Sequence, residues 1–187
     1  MPIIRDWQQN REMWIRVLEK QTGEDLDTWN KRVREGSVED ESGLRAWLSE
    51  RGVTGYARSL LVMERFGYPD FLLATAEELI DSQYAKRPQL RPIYDAIIDA
   101  AEQCGKIIIQ TRKTYVSLVT PRRTFARVQP SRARVILAFR LQTLQPSSRL
   151  QLSGIHHTMH LQVALTSLDE VNDEVQGWLE LAYRENS

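Results

Sequence analysis

Residues 113–141 read KTYVSLVTPRRTFARVQPSRARVILAFRL, and their reading decides the fold. Three apolar-rich runs are separated by two short breaks, Pro121-Arg122-Arg123 and Pro130-Ser131-Arg132. Proline fixes φ and removes an amide donor, so each break ends a ladder, and three residues suffice for a hairpin turn. Residues 114–119, 124–129 and 133–141 are therefore expected as antiparallel neighbours. Outward from them, residues 106–110 and 157–165 keep the period of two, which makes five strands. Residues 142–155 leave room for a short extra strand. Ile93, Ile97 and Ala101 mark a helix that ends near Gly105, and Ser167 is expected to cap a last helix with Val171, Val175, Trp178, Leu179 and Ala182 on one side. Residues 88–187 thus read as an α+β domain, an antiparallel five-stranded sheet flanked by two helices.

Before this sheet the period is helical. Trp14, Val17 and Leu18 share one face ahead of Gly23, and Leu26, Trp29 and Val33 do so between Asp25 and Gly36. Leu44, Trp47 and Leu48 precede Gly52, and Tyr56, Leu60 and Met63 precede Gly67. Thr75 and Glu78 have capping-box spacing. Residues 1–83 are expected to form a small helical bundle, with residues 84–92, which hold Pro88 and Pro92, as the joint.

Net charge is zero over 187 residues, yet residues 103–168 contain no Asp or Glu and carry ten Lys or Arg and all three histidines. The rest holds fifteen basic and 25 acidic side chains. Such asymmetry bears on partners rather than on fold. It also excludes chemistry, because two-metal nucleases and carboxylate-pair hydrolases need acids converging on the reacting atom, and the sheet supplies none. Neither a phosphate-binding glycine loop nor a dinucleotide fingerprint is present. A single cysteine, no basic-then-apolar leader in the opening residues and no apolar run near 20 residues lead to the expectation of a cytoplasmic protein without membrane association.

Alternation assigns faces. Val135, Leu137, Phe139 and Leu141 fall on one side with Arg134 and Arg140 on the other, and Met159, Leu161, Val163 and Leu165 oppose His156, His160 and Gln162. With Phe125 and Arg127 taken as sharing the outer face, the sheet would present Tyr115, Phe125, Arg127, Arg134, Arg140 and His160, ringed by Lys113, Arg122, Arg123 and Arg132. Cations neutralise phosphates while rings stack on bases, so this combination suits single-stranded nucleic acid or another polyanion. Two other readings stay open. The face docks on acidic helices of this or another protein, or a cleft between the two halves binds a small anion or substrate. No catalytic residue can be named, so a non-enzymatic module is the favoured expectation, with no cofactor and with the oligomeric state open. His156, His157 and His160 lack a Cys or carboxylate nearby in sequence and read as surface or anion-contacting residues, not metal ligands. Cys104 reads as a buried helix-end residue. Gly52-Val53-Thr54-Gly55 is one residue too long for a Gly-hydrophobic-Gly phosphate turn and reads as helix capping.

The run Lys20 to Trp29, KQTGEDLDTW, followed by Gly43-Leu44-Arg45-Ala46-Trp47-Leu48, resembles the N-terminal module of small bacterial proteins known as domain of unknown function 4287. Lys113-Thr114-Tyr115-Val116-Ser117-Leu118, with Phe125-Ala126, Gln129-Pro130, Arg134 and the closing Leu165 to Val171, is similar to domain of unknown function 5655. Together they cover nearly the whole chain. The resemblance implies no established activity and no catalytic residue. The first module commonly has His-Gly where this chain has Val53-Thr54-Gly55.

Overall fold

Glycine punctuation sets the helix lengths of the first half. The computed structural model describes residues 3–4, 7–36 and 38–187. Met1, Pro2, Arg5 and Asp6, within the opening stretch read above as lacking a leader, lie outside them. The chain divides into two units, Asp6–Ala74 and a larger one of Met1–Arg5 with Thr75–Ser187.

In the first unit α1 (Trp7–Thr22) ends at Gly23, whose φ of 75° lies in the left-handed region that glycine adopts without strain. Asp25 caps α2 (Leu26–Glu35) by accepting from the Thr28 amide, and Asp40 caps α3 (Glu41–Glu50) through the Gly43 amide. α4 (Gly55–Phe66) and a single turn, α5 (Asp70–Leu73), complete it. Leu18, Leu26, Trp29, Val33, Leu44, Leu48, Ala57, Leu60 and Leu61 form one core. Tyr56 is not on its inner face as the spacing suggested. It is 59% exposed and stacks on Trp14, because Ala57, Leu60 and Leu61 carry the buried stripe of α4.

The larger unit has its own core. α6 (Ala76–Tyr84) starts at the expected Thr75–Glu78 capping box, and its Ile80 and Tyr84 pack into this second core. Gln83 donates to the carbonyls of Arg112 (2.7 Å) and Tyr115 (3.4 Å), which ties the helix to the sheet. The division into units falls before Thr75. A 3-10 turn over Pro88–Leu90 leads into α7 (Arg91–Gln103).

The sheet runs β1-β2-β3-β4-β5-β7-β6. Six antiparallel strands, β2 (Ile108–Thr111), β3 (Val116–Val119), β4 (Thr124–Pro130), β5 (Val135–Phe139), β6 (Gln151–Leu152) and β7 (Leu161–Leu165), are joined by β1 (Ile3–Ile4), which pairs parallel with β2. The expected count of five is corrected to six antiparallel strands. β6 is the short strand for which residues 142–155 had room, and a parallel pairing from the far end of the chain carries no local turn signal. The two proline-bearing breaks are turns between antiparallel neighbours, as expected.

The last helix begins later than expected. Ser167 forms its capping box with Glu170, but around a 3-10 turn (Leu168–Glu170), and Asn172 then caps α8 (Asp173–Asn186). Val116, Leu118, Ala126, Val128, Leu137, Phe139, Leu161 and Val163 form one sheet face, packed with Ile97 and Ala101 of α7 and Val175, Leu179 and Ala182 of α8. The opposite face of the sheet is its outer face.

Candidate nucleic-acid interface

Alternation builds the outer face except at one bulge between β3 and β4. Gln110, Ser117, Arg127, Ala138, Gln162 and Gln151 are successive register partners across six strands, so they form one polar row at about 4.8 Å per strand. The methyl of Ala138 keeps the row low between Arg127 and Gln162. The Arg127 guanidinium lies 3.5 Å from the centroid of the Tyr115 ring, and one Nη donates to Gln129 Oε1 at 2.8 Å. Its Nε is buried without a partner, as is Gln162 Oε1. Burial lowers the Arg127 pKa from its ordinary value, which the nearby Tyr115 partly opposes. A planar cation held against a ring in this way keeps a π-face for a further flat ligand.

Arg127 and Tyr115 line a cleft of about 190 Å³ with Arg112, Ser117, His156, Thr158 and Met159. Thr158 also lines a larger cleft of about 510 Å³, at the strand end where β3 turns into β4. There Arg123, Arg140, His157 and His160 converge with Gln142, Thr143, Glu185 and Asn186. Asn186 Nδ2 donates to the Arg140 carbonyl (2.8 Å) and holds that backbone against the end of α8. Arg140 is pulled down from its ordinary pKa by desolvation and by the like charge of Arg123. His156 is lowered by desolvation, then by His157, Arg127 and Arg140. The two clefts are joined by Thr158, and each is lined by two arginines. The carboxylate of Glu185 is engaged by the Gln142 amide at 3.0 Å and by the Thr143 hydroxyl.

The charge pattern has a structural counterpart. Of the ten cations in residues 103–168, Arg149 pairs with Glu174 at 2.6 Å. Arg112, Arg122, Arg123, Arg127, Arg132, Arg134 and Arg140 make no ion pair among the described residues. In the first unit, by contrast, Arg11, Arg32 and Arg45 pair with Glu64, Glu24 and Glu41.

The residues expected at one face are distributed more widely. Arg127 and Tyr115 meet on the outer side, and Arg140, Arg123 and His160 gather at one end of the sheet. Arg122 is exposed in the turn beside Arg123, whereas Lys113, Arg132 and Arg134 are exposed in the turns at the other end. Lys113 lines a separate cleft there with Arg87 and Gln129. Phe125 is corrected. A bulge between Leu118 and Val119 breaks the alternation, and Phe125 is fully buried, edge-on to Tyr183 of α8 at 5.6 Å. It is not available to a base.

The histidine reading also changes, because β7 begins only at Leu161. Residues 156–159 form a turn closed by the Met159 amide on the His156 carbonyl, and the His156 and His157 rings lie 4.2 Å apart instead of pointing to opposite faces. His160 Nδ1 lies 3.1 Å from the Leu141 carbonyl, which can only accept, so Nδ1 carries the proton and Nε2 is left for another partner. Among the described residues no group of three or more His, Cys, Asp or Glu is placed to hold a metal ion. Burial raises the Cys104 thiol to about 11, with Glu180 adding to the shift. The sequence reading missed Arg112, Gln110 and Thr158 as lining residues. Gln110 was legible from alternation, but Thr158 needs the turn.

No helix among the described residues is long and apolar enough to cross a membrane. The family described as Domain of unknown function (DUF5655) matches residues 80–186. No curated protein and no solved structure matches the chain.

Proposed function

The chain belongs to the family described as Domain of unknown function (DUF5655), and from that premise we propose that its sheet unit is a non-catalytic module for single-stranded nucleic acid. The observation that carries the reading is the run of arginines without carboxylate partners, Arg127, Arg123 and Arg140, along two clefts that share Thr158. A partly desolvated cation without a counter-charge is costly, and phosphates supply that charge while releasing condensed counterions. The Tyr115–Arg127 stack provides a sequence-tolerant platform for one base, and half-buried Gln110, which lines the same cleft, offers a hydrogen-bonding group beside it. We read the helical unit, on its resemblance to domain of unknown function 4287, as a partner module of a bacterial, cytoplasmic protein. An acidic protein surface is the competing occupant of the face.

The test is equilibrium binding of labelled single-stranded DNA and RNA to the full chain at low salt, with Arg127→Gln and Tyr115→Ala as variants. Micromolar binding weakened by both substitutions is expected. Absence of binding to either nucleic acid overturns the reading, and retention of full affinity by both variants displaces it from this face.

A further inference from the structure

The two clefts differ in their lining. The smaller is lined by the Tyr115 ring, the Arg112 and Arg127 guanidiniums, His156 and neutral polar groups, and contains no carboxylate. The larger gathers Arg123, Arg140, His157 and His160 around Glu185, and the like charge of Arg123 disfavours that of Arg140. Arg123 commits one donor to the Glu185 carbonyl at 3.2 Å, and no side-chain hydrogen bond occupies the Arg140 guanidinium among the described residues. Two guanidinium forks on one cleft match a group with several anionic oxygens and more than one negative charge. A phosphodiester carries a single charge. A phosphomonoester has a second ionisation near pH 6, so it carries nearly two.

Glu185 lines the larger cleft and not the smaller one, and its carboxylate is already engaged by the Gln142 amide and the Thr143 hydroxyl. The two arginines of the lining outnumber it. His160, with Nδ1 committed to the Leu141 carbonyl, leaves Nε2 for another partner.

Resting on the nucleic-acid reading, we propose that the Arg123–Arg140 cleft is a subsite for the terminal phosphomonoester of a strand whose next base lies on the Tyr115–Arg127 stack. The module would then recognise strand ends carrying a phosphate, and not the interior of a chain.

Internally labelled oligonucleotides of one sequence, with a 5′-phosphate, a 3′-phosphate or hydroxyls at both ends, test this by fluorescence anisotropy on the full chain. One phosphorylated end is expected to bind about tenfold tighter than the hydroxyl-ended strand, the equivalent of one charge-assisted contact. Arg140→Gln is expected to bring that ratio below about twofold, and Arg16→Gln, on exposed surface of the helical unit, to keep it. Arg123→Gln is the second variant should Arg140→Gln fold poorly. Equal affinities for all three strands overturn the subsite and leave the nucleic-acid reading standing. A preference that survives in both cleft variants overturns its placement, and no binding of any strand overturns both proposals.

Discussion

The helical unit and the two clefts of the sheet unit hold arginine in different ways. In the first, Arg11 is held by Glu64 at 2.7 and 2.9 Å, and Glu64 also accepts from the Tyr68 hydroxyl and from Asn30. This knot joins α1, α2 and α4. In the second, Arg123, Arg127 and Arg140 face clefts and meet a ring, a carbonyl and one another. Paired charge in a half-buried setting fixes the arrangement of helices, whereas unpaired charge leaves a demand that an outside partner meets. The difference separates cations that build the fold from cations available to a ligand, which composition does not do.

Substitutions divide along this line. The largest effect is expected from Leu60→Ala in the first core, where the fully buried side chain should cost about 2–5 kcal/mol, read by denaturant unfolding with tryptophan fluorescence. Next is Glu64→Gln, expected to cost about 1–3 kcal/mol near neutral pH because Arg11 and Tyr68 lose a charged acceptor. Burial raises the Glu64 pKa, but hydrogen bonds from Tyr68 and Arg11 outweigh it, and the folded value lies below the ordinary 4.5. The stabilisation is therefore present above pH 4.5 and fades as pH falls through the lower folded value, so the variant should lose stability more shallowly in acid. Tyr115→Ala should weaken strand binding by about 1–3 kcal/mol, with Tyr115→Phe close to wild type because the ring does the stacking. The smallest effect is expected for Arg45→Ala. Its pair with Glu41 is an exposed i,i+4 bridge, so unfolding should shift by about 0.5 kcal/mol or less.

What the residues disclosed follows from how local each signal is. The caps at Asp25 and Thr75, the glycine stop at Gly23 and the hairpins at Pro121 and Pro130 are written within a few residues, and the structure has them. Phe125 was misplaced because a bulge shifts the phase by one residue, and period-two reasoning has no means of seeing it. β1 is set by pairing with a strand about a hundred residues away, and α6 is drawn to the sheet by Ile80, Tyr84 and Gln83 rather than by a break in composition. At the candidate site, the acid-free stretch marked the region where the unpaired arginines lie. The convergence of Arg123 with Arg140, and the turn that brings His156 against His157, depend on tertiary placement and became visible only with the fold.

The salt dependence of strand binding, measured for the wild type and for Arg123→Gln/Arg127→Gln/Arg140→Gln together, bears most directly on the role of the unpaired arginines. If each neutralises one phosphate charge, the slope of log K against log salt should become shallower by about 2 in the triple variant, since each charge neutralised on a single strand adds about 0.7 to the slope. An unchanged slope with unchanged affinity would contradict the proposal that these three arginines form the interface.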